Sequence, residues 1–296
     1  MKKIILVTGT SGFLGKIFLR DVLKKRKYFI VDLLRNKNRK NKDLNYLRKK
    51  FSKSYKSIFF KNNNEIEKKL HNIKIDYFIN FATLYKNNHK HAEISDFINS
   101  NIVFPTIVLD LIHMKVKKII NFGTMMQHED GKNYTPKNFY SSTKSALEMI
   151  INFYKFSNKK LKYYNVKFYE SFSENDNRIK LIPELYRNYK KNIKTSIISK
   201  NLELNIIHAN DIIKSIYIFL NNNVESGSYC LKQEKNIKIF NLINKIKKNL
   251  NKKIKIKYLN DKFDKINKSK IQSLNNWKPD RLIEQKIKKK FSNENI

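Results

Sequence analysis

The chain has 296 residues, of which 41% are hydrophobic and 12% aromatic, enough to bury a core as one large domain or as two lobes. Its formal net charge of +38 invites a nucleic-acid function, but lysines and arginines are spread over every segment instead of forming one patch. We therefore predict no specific nucleic-acid binding.

Cysteine content and hydropathy exclude further classes. A single cysteine, Cys230, rules out an internal disulfide framework and a cysteine-built zinc site, and we predict no metal. No run of 18 apolar residues occurs, and the apolar segment that follows Met1 is too short for a secretory signal. We expect a cytoplasmic protein that does not bind membranes.

Strand-like and helix-like segments alternate along the first two thirds of the chain. Helical periodicity covers Lys16 to Lys25, Glu65 to Leu70 and Glu93 to Met114. Such alternation predicts an α/β fold, a doubly wound parallel sheet of the Rossmann type. The strand candidates are KIILVTG, YFIVDLLR, SIFF, DYFINFAT, KKIINFGT and YYNVKFYE.

The order loosens after about residue 171. Two helix-like segments, DIIKSIYIFL and FNLINKIKKNL, and two strand-like ones, SYCLK and KIKIKYL, predict a smaller C-terminal α+β lobe. We therefore predict a dinucleotide-binding domain over residues 1–170. Residues 171–296 form mainly a substrate-binding lobe, with some chain returning to the first domain.

Three of the six glycines fall in one short stretch, GTSGFLG, which follows a predicted strand and opens a predicted helix. Glycine backbone at this place lets a pyrophosphate approach the amide groups of a helix N-terminus. We predict that this loop binds a dinucleotide through Gly9, Thr10, Ser11, Gly12, Phe13, Leu14 and Gly15.

A second motif, Tyr140 and Lys144 in NFYSSTK, has a spacing that carries little information by itself. With 16 tyrosines in this lysine-rich chain, about three Tyr-x-x-x-Lys matches are expected by chance, and five occur. The context of this pair is distinctive, because the predicted strand KKIINFGT ends in Thr124, sixteen residues before Tyr140.

The glycine spacing together with Thr124, Tyr140 and Lys144 resembles the extended branch of the short-chain dehydrogenase/reductases, the epimerase/dehydratase family. The resemblance implies that these three residues are catalytic, and a lysine ammonium close to a phenol favours the phenolate. Lys144 and Tyr140 would also contact the nicotinamide ribose. Further cofactor contacts implied by the resemblance are Phe81, Ala82, Thr83 and Asn101.

The second strand bears on the choice of cofactor. Asp32 lies within it, whereas Arg35 lies closer to its expected end, with Lys37 and Arg39 nearby. An acidic residue at the strand end would suit the ribose of NAD, and a basic one suits the 2′-phosphate of NADP. We predict NADP(H) in preference to NAD(H).

The stretch GTMMQHEDGKNYTPKNFYSSTK and the later NDNR resemble nucleotide-sugar 4-ketoreductases of the CDP-abequose/CDP-paratose synthase type. The resemblance implies a CDP-, dTDP- or GDP-activated deoxysugar as substrate, used in cell-surface polysaccharide or O-antigen biosynthesis. It places Met125, Gln127, His128 and Arg178 at the substrate, with Arg178 on the diphosphate.

Two alternatives and a partner remain open, and a third alternative, a dehydratase, is disfavoured. A 4-epimerase with tightly bound NAD would use the same Thr, Tyr and Lys. A 4,6-dehydratase would need acidic residues after Thr124, where Met125 and Met126 stand. A non-catalytic nucleotide- or RNA-binding Rossmann protein is the distant alternative.

Relatives often dimerise through the helix of Tyr140, so a homodimer is possible. Four apolar positions suit either a dimer contact or the core: Leu147, Ile150, Ile151 and Tyr154.

Overall fold

A computed structural model describes residues 2–248, 250, 253–260, 266–280 and 282–292. The chain forms two compact units. The first contains residues 1–167, 215–230 and 269–272, and the second contains residues 168–214, 231–268 and 273–296.

Thirteen strands and ten helices are found in the described part of the chain. The strands are β1 Lys3–Thr8, β2 Tyr28–Arg35, β3 Tyr55–Phe60, β4 Tyr77–Asn80, β5 Lys118–Phe122, β6 Lys162–Phe168, β7 Glu170–Phe172, β8 Thr195–Ser199, β9 Glu203–Leu204, β10 Ile206–His208, β11 Gly227–Leu231, β12 Ile237–Lys238 and β13 Ile256–Asn260. The helices are α1 Phe13–Lys25, α2 Lys42–Lys50, α3 Asn64–Leu70, α4 Ile94–Ile98, α5 Phe104–Ile112, α6 Phe139–Ser157, α7 Leu181–Lys190, α8 Ala209–Asn221, α9 Ile239–Lys247 and α10 Ile283–Ser292.

The central sheet has seven strands in the order β11-β6-β5-β4-β1-β2-β3. The five pairs from β6 to β3 are all parallel. This parallel sheet confirms the predicted α/β fold. The strands could be recognised in the sequence because strands buried on both faces read as nearly continuous apolar runs. The core of the first unit joins strand residues such as Leu6 and Phe78 to helix residues such as Val108 and Leu147.

A row of buried polar side chains crosses four of these strands at one level. Thr8, Asn80, Asn121 and Asn165 are register partners on β1, β4, β5 and β6. Thr8 Oγ1 donates to Asn80 Oδ1 (2.7 Å), Asn80 Nδ2 to Asn121 Oδ1 (3.0 Å) and Asn121 Nδ2 to Asn165 Oδ1 (2.8 Å). A slip of one residue would break these bonds and bury unpaired amides, so the row fixes where the strands end.

The last strand of the sheet, β11, corrects one prediction. Its segment SYCLK and Cys230 were expected in the smaller lobe, but β11 lies at the edge of the central sheet beside β6, and Cys230 is buried there. Helix α8 begins in the second unit and ends in the first. Periodicity identified both elements correctly, but the unit that each joins depends on contacts between distant segments.

The second unit has its own apolar core and three two-stranded sheets. The β10–β7 and β13–β8 pairs are parallel, and the β12–β9 pair is antiparallel. Helices α7, α9 and α10 pack around this core through residues such as Leu185, Ile243 and Ile287.

One helical stretch of the described chain, His91–Ile112, is long and apolar enough to cross a membrane by length and composition. Core helices of water-soluble proteins pass the same test. Here Phe104, Val108, Leu109 and Ile112 belong to the core of the first unit.

Candidate active site

The glycine loop lies between β1 and α1, and its glycines allow close approaches of the backbone. Gly9 has a φ of +77°, and a Cβ at this position would lie 2.4 Å from the backbone nitrogen of Ala82. A Cβ on Gly15 would lie 2.3 Å from the Gly9 carbonyl oxygen. Glycine is therefore required at position 9, where the turn contacts the loop after β4, and at position 15, where α1 packs against the turn itself.

The N-terminus of α1 fits an anionic group. Gly12 is its N-cap and supplies no side-chain hydrogen bond, and the first turn contains no acidic residue. No acidic side chain of the first turn therefore complements the helix dipole. A dinucleotide pyrophosphate would complement it, so the residues present fit the predicted cofactor.

Asp32 of β2 points away from solvent. It is fully buried, and its Oδ2 accepts hydrogen bonds from Thr10 Oγ1 (2.6 Å) and Tyr55 Oη (2.7 Å). Burial raises the pKa of the Asp32 carboxyl to about 7, although both hydrogen bonds act to lower it. Asp32 therefore connects the glycine loop to β2 and β3 from within the protein.

Arginines surround the end of β2. Arg35 is the exposed last residue of the strand, and its Nη2 lies 3.3 Å from Ser100 Oγ. The guanidinium groups of Arg39 and Arg48 stack on the Phe59 ring, 4.7 and 4.9 Å from its centroid. Sequence reasoning identified Arg35 and Arg39 but not Arg48, which comes from α2.

Asn101 lies in a π-helical turn, Asn99–Val103, between α4 and α5. Its Oδ1 accepts from Leu84 N (2.6 Å), and its Nδ2 donates to Leu84 O (3.0 Å) and to Thr143 Oγ1 (2.9 Å). The buried Asn101 side chain thus joins the loop after β4 to α6. The same loop carries Phe81, Ala82 and Thr83, and the Phe81 ring stacks on Phe122 at 4.7 Å.

Helix α6 carries Tyr140 and Lys144. Asn138 caps the helix, because its Oδ1 accepts from Ser141 N (3.0 Å) and its own N donates to Ser141 Oγ (3.1 Å). Tyr140 lies in the first turn, with its ring edge-on to Tyr85 at 4.8 Å. Lys144 follows one turn later and is buried.

Burial lowers the pKa of the Lys144 ammonium to about 8, and the Glu148 carboxylate opposes this shift. Lys144 therefore titrates much closer to neutral pH than an ordinary lysine. A lysine with such a pKa can exchange protons near neutral pH, whereas a lysine on the protein surface keeps its proton there.

Thr124 follows β5 and caps a short 3-10 helix, Met125–Gln127. Gln127 Oε1 accepts from Thr124 N (2.9 Å), and Gln127 Nε2 donates to Glu148 Oε2 (2.9 Å) and lies 3.4 Å from Ser145 Oγ. These bonds attach the strand end with Thr124 to the α6 turn that follows Lys144. The structure thereby brings the surroundings of the three predicted catalytic residues together.

Three residues predicted to contact substrate are buried with partners inside the first unit. The Sδ of Met125 lies 3.8 Å from Ser269 Oγ, and Gln127 binds Thr124 and Glu148. His128 Nδ1 lies 2.8 Å from Asn133 O, and its Nε2 lies 2.7 Å from Lys167 Nζ. Direct substrate contact by these side chains stays a prediction.

His128 is neutral in this arrangement. Carbonyl oxygens can only accept, so Nδ1 carries the proton and Nε2 accepts from the Lys167 ammonium. Burial and then the charge of Lys167 lower the pKa of the imidazole, which agrees with this assignment.

Arg178, the fourth predicted substrate contact, belongs to the second unit. Its Nε and Nη2 donate to the two oxygens of Asp176 at 2.9 and 2.7 Å, and Nη2 also donates to Ser171 O (2.8 Å). Asp176 is buried, whereas the Arg178 side chain is 31% exposed. The NDNR turn thus holds a guanidinium rigidly with part of its surface open.

The other Tyr-x-x-x-Lys pairs lie in different settings. Lys50 Nζ donates to Tyr46 Oη (2.9 Å) on an exposed face of α2, and Tyr186 and Lys190 lie on α7. Tyr163 and Lys167 share the strand β6. For the fifth pair, Lys262 lies outside the described residues.

Sequence reasoning missed Glu148 and Lys167. Glu148 follows Lys144 by four residues on a predicted helix, which places both on one face, and Lys167 interrupts an apolar strand. Both signals were present in the sequence, but spacing alone could not distinguish them from the many solvated charges of this chain.

Comparisons with known proteins show the family and the fold of this chain. Residues 5–237 match the NAD dependent epimerase/dehydratase family. CDP-abequose synthase from Yersinia pseudotuberculosis is 26% identical over 227 residues, which cover 76% of this chain and 75% of that protein. UDP-N-acetylglucosamine 4-epimerase from Methanobrevibacter ruminantium has a TM-score of 0.78 at 18% identity and 98% coverage of both chains. UDP-glucuronic acid 4-epimerase from Bacillus cereus, solved with NAD, has a TM-score of 0.80 at 15% identity, with 97% of this chain and 98% of that one covered.

The buried carboxyl of Asp32 generates a stability prediction. Its pKa is 3.8 in an unfolded chain and about 7 in the folded one, so the folded state holds the extra proton between these values. Stability contributed by this group is therefore lost as the pH rises through that window. Asp32→Asn lacks this titration, and we expect its free energy of unfolding to gain on wild type by on the order of 2 kcal/mol between pH 5 and pH 8.5. Urea unfolding at both pH values measures the change, and a difference independent of pH would contradict the assignment.

Proposed function

The chain belongs to the NAD dependent epimerase/dehydratase family, as its motifs predicted, and we propose that it reduces the 4-keto group of a nucleotide-activated deoxysugar with NADPH. The observation that carries the proposal is that Gln127 and Glu148 link the backbone of Thr124 to α6, the helix of Tyr140 and the buried Lys144, while Met125 and Met126 directly follow Thr124. Methionines cannot exchange protons at C5 and C6 of a sugar, so this arrangement favours reduction over dehydration. The relative named CDP-abequose synthase supports the same substrate class.

The chain's own residues would act as follows. NADPH, when bound at the glycine loop, supplies the hydride for the carbonyl carbon. Tyr140 donates its phenolic proton to the carbonyl oxygen, and the Thr124 hydroxyl hydrogen-bonds to the same oxygen. The Lys144 ammonium stabilises the phenolate that remains and contacts the nicotinamide ribose. One hydride and one proton convert the ketone into an alcohol.

Arg178 is proposed to hold the diphosphate of the sugar nucleotide. Its guanidinium is oriented by Asp176, and its side chain is 31% exposed, so its positive charge can face an anionic group. A chain that carries +38 overall also favours the approach of an anionic substrate. The nucleoside is proposed to be cytidine, thymidine or guanosine, in a cytoplasmic route to cell-surface polysaccharide.

A 4-epimerase with tightly bound NAD is the second candidate, favoured by the likeness to two solved 4-epimerases. It would use the same three residues without net consumption of reductant. The cofactor released from gently purified protein separates the candidates, because a reductase binds NADPH from solution whereas an epimerase retains NAD.

The reductase proposal is tested with a panel of CDP-, dTDP- and GDP-4-keto-6-deoxysugars. We expect at least one of them to cause loss of NADPH absorbance at 340 nm. Tyr140→Phe should lower kcat by about a factor of 10² to 10⁴, because the proton donor is lost. Tyr46→Phe, at an exposed pair of the same spacing, is the control and should retain activity. Full activity in Tyr140→Phe would contradict the role of Tyr140, and no NADPH consumption by wild type with any sugar of the panel would refute the reductase proposal.

The preference for NADPH is proposed to depend on the arginines near the end of β2, above all Arg35. Arg35→Ser should raise the KM for NADPH by roughly 10-fold or more and leave that for NADH unchanged, because a phosphate contact is lost. Lys160→Ser removes an equal charge before the start of β6, which three strands separate from β2 in the sheet, and serves as control. Equal effects on both cofactors would contradict the role of Arg35.

Dimerisation is proposed through an exposed apolar face of α6. Met149, Phe153 and Phe156 are 58%, 63% and 84% exposed, whereas Leu147, Ile151 and Tyr154, which the sequence also offered for this contact, lie in the core. A second copy of the chain would cover this face. Light scattering should give twice the 35.5 kDa chain mass for wild type, one chain mass for Phe153→Asp, and the dimer for the control Ser157→Asp. A monomeric wild type would refute the proposal.

A further inference from the structure

The first unit contains a buried ion pair that the proposed chemistry does not use. Glu148 Oε2 lies 2.9 Å from Lys167 Nζ, and both side chains are 1% exposed. Removing two charges from water costs several kcal/mol for each ion, and an apolar pair of the same volume is often as stable. Packing stability alone therefore does not explain why a glutamate occupies this place.

The other bonds of Glu148 lead to the active site. Its Oε2 accepts from Gln127 Nε2 (2.9 Å), and Gln127 Oε1 in turn accepts from the backbone nitrogen of Thr124 (2.9 Å). Its Oε1 accepts from Ser228 Oγ of β11. Two hydrogen bonds thus connect the carboxylate of Glu148 to the residue that would hold the substrate carbonyl.

Lys167 extends the network into the loop between β5 and α6. Its ammonium donates to His128 Nε2 (2.7 Å) and lies 5.2 Å from the centroid of the Tyr134 ring. His128 Nδ1 binds the carbonyl of Asn133 (2.8 Å), so the lysine holds the loop closed on itself. The loop that follows Thr124 is therefore attached to β6 as well as to α6.

Lys144 is the second catalytic neighbour of Glu148. It precedes Glu148 by four residues on α6, which places both side chains on one buried face of the helix. Burial pushes the pKa of the Lys144 ammonium down to about 8, and the Glu148 charge limits the fall. A buried cation with no anion beside it would lose its proton at a still lower pH.

We propose that Glu148 is a positioning residue of the active site, which holds the backbone of Thr124 through Gln127 and places a negative charge one helical turn from Lys144. The inference rests on the proposed catalytic roles of Thr124 and Lys144. The buried carboxylate of Glu148 then fixes the position of Thr124 and helps Lys144 to keep its positive charge.

Several charged and titratable groups face this carboxylate. Lys144 lies on its own helix, and Lys167 and Tyr163 come from β6. His128 and Tyr134 come from the loop between β5 and α6. The two lysines carry positive charge and His128 is neutral, so Glu148 is the anion that the two buried ammonium groups share.

Glu148→Gln tests the proposal because the amide keeps the size of the side chain and removes its charge. Lys144 should then lose its proton more easily, and the alkaline limb of the kcat profile should move to lower pH by roughly one unit. The hydrogen bond from Gln127 is then no longer charge-assisted, and this weaker anchor should lower kcat, while the KM for the sugar nucleotide changes little. Lys167→Met is the matched opposite change. It leaves Lys144 as the only ammonium group beside Glu148, so the alkaline limb of the kcat profile should move to higher pH.

The double variant Glu148→Gln/Lys167→Met distinguishes positioning from simple stabilisation. It removes both members of the ion pair, so Lys167 is not left buried without its partner and the folded state should recover stability relative to Glu148→Gln. The anion beside Lys144 is still absent, so the alkaline limb should stay at lower pH. A double variant with the wild-type profile would show that Glu148 serves stability only and would overturn the proposal.

A titration without substrate or cofactor keeps this test independent of the proposed reaction. In protein labelled with ¹³C-lysine, the Cε resonance that disappears in Lys144→Arg reports the Lys144 ammonium. Its midpoint should lie near 8 in wild type and lower in the double variant. An unchanged midpoint would refute the proposal even if ketoreduction is confirmed, and a lowered midpoint would support it even if another reaction is found.

Discussion

The buried row of Thr8, Asn80, Asn121 and Asn165 fixes the register of four strands in the first unit, and with it the positions of the loops that follow them. Each amide satisfies its neighbour across parallel strands, and an interruption would leave polar groups unpaired in the core. Beyond this row, β1 leads into the glycine loop, β4 into the loop with Phe81, and β5 to Thr124. Since parallel strands end at the same edge, one register brings the glycine loop, the Phe81 loop and Thr124 to that edge together.

The same register explains the charge network beneath the site. Lys167 follows Asn165 by two residues on β6, and this alternation directs a lysine into the interior, where α6 provides Glu148. The carboxylate also reaches Gln127 and lies on the same helix face as Lys144. The polar groups of the first unit thus form two sets, one that aligns the strands and one that joins α6 to the loop after Thr124.

The site is specified by burial rather than by spacing. Tyr46 and Lys50 have the same separation on a helix as Tyr140 and Lys144, and their side chains bond directly at the surface. Only a desolvated ammonium has a pKa near neutrality, and the core around α6 supplies that environment. Asp32 is a parallel case, since a carboxyl that could have contacted a ribose is buried against Thr10 and Tyr55.

The sequence by itself determined the alternation of strands and helices, the glycine loop, and the candidate group of Thr124, Tyr140 and Lys144. These features depend on short-range patterns, namely apolar periodicity, backbone freedom at glycine and residues within one loop and helix. Only the tertiary structure decided that β11 joins the central sheet, that Asp32 is buried, and that Glu148 pairs with Lys167 beside Lys144. These outcomes depend on contacts between residues far apart in the chain, and in a sequence so rich in lysine no local pattern identifies which charges become buried.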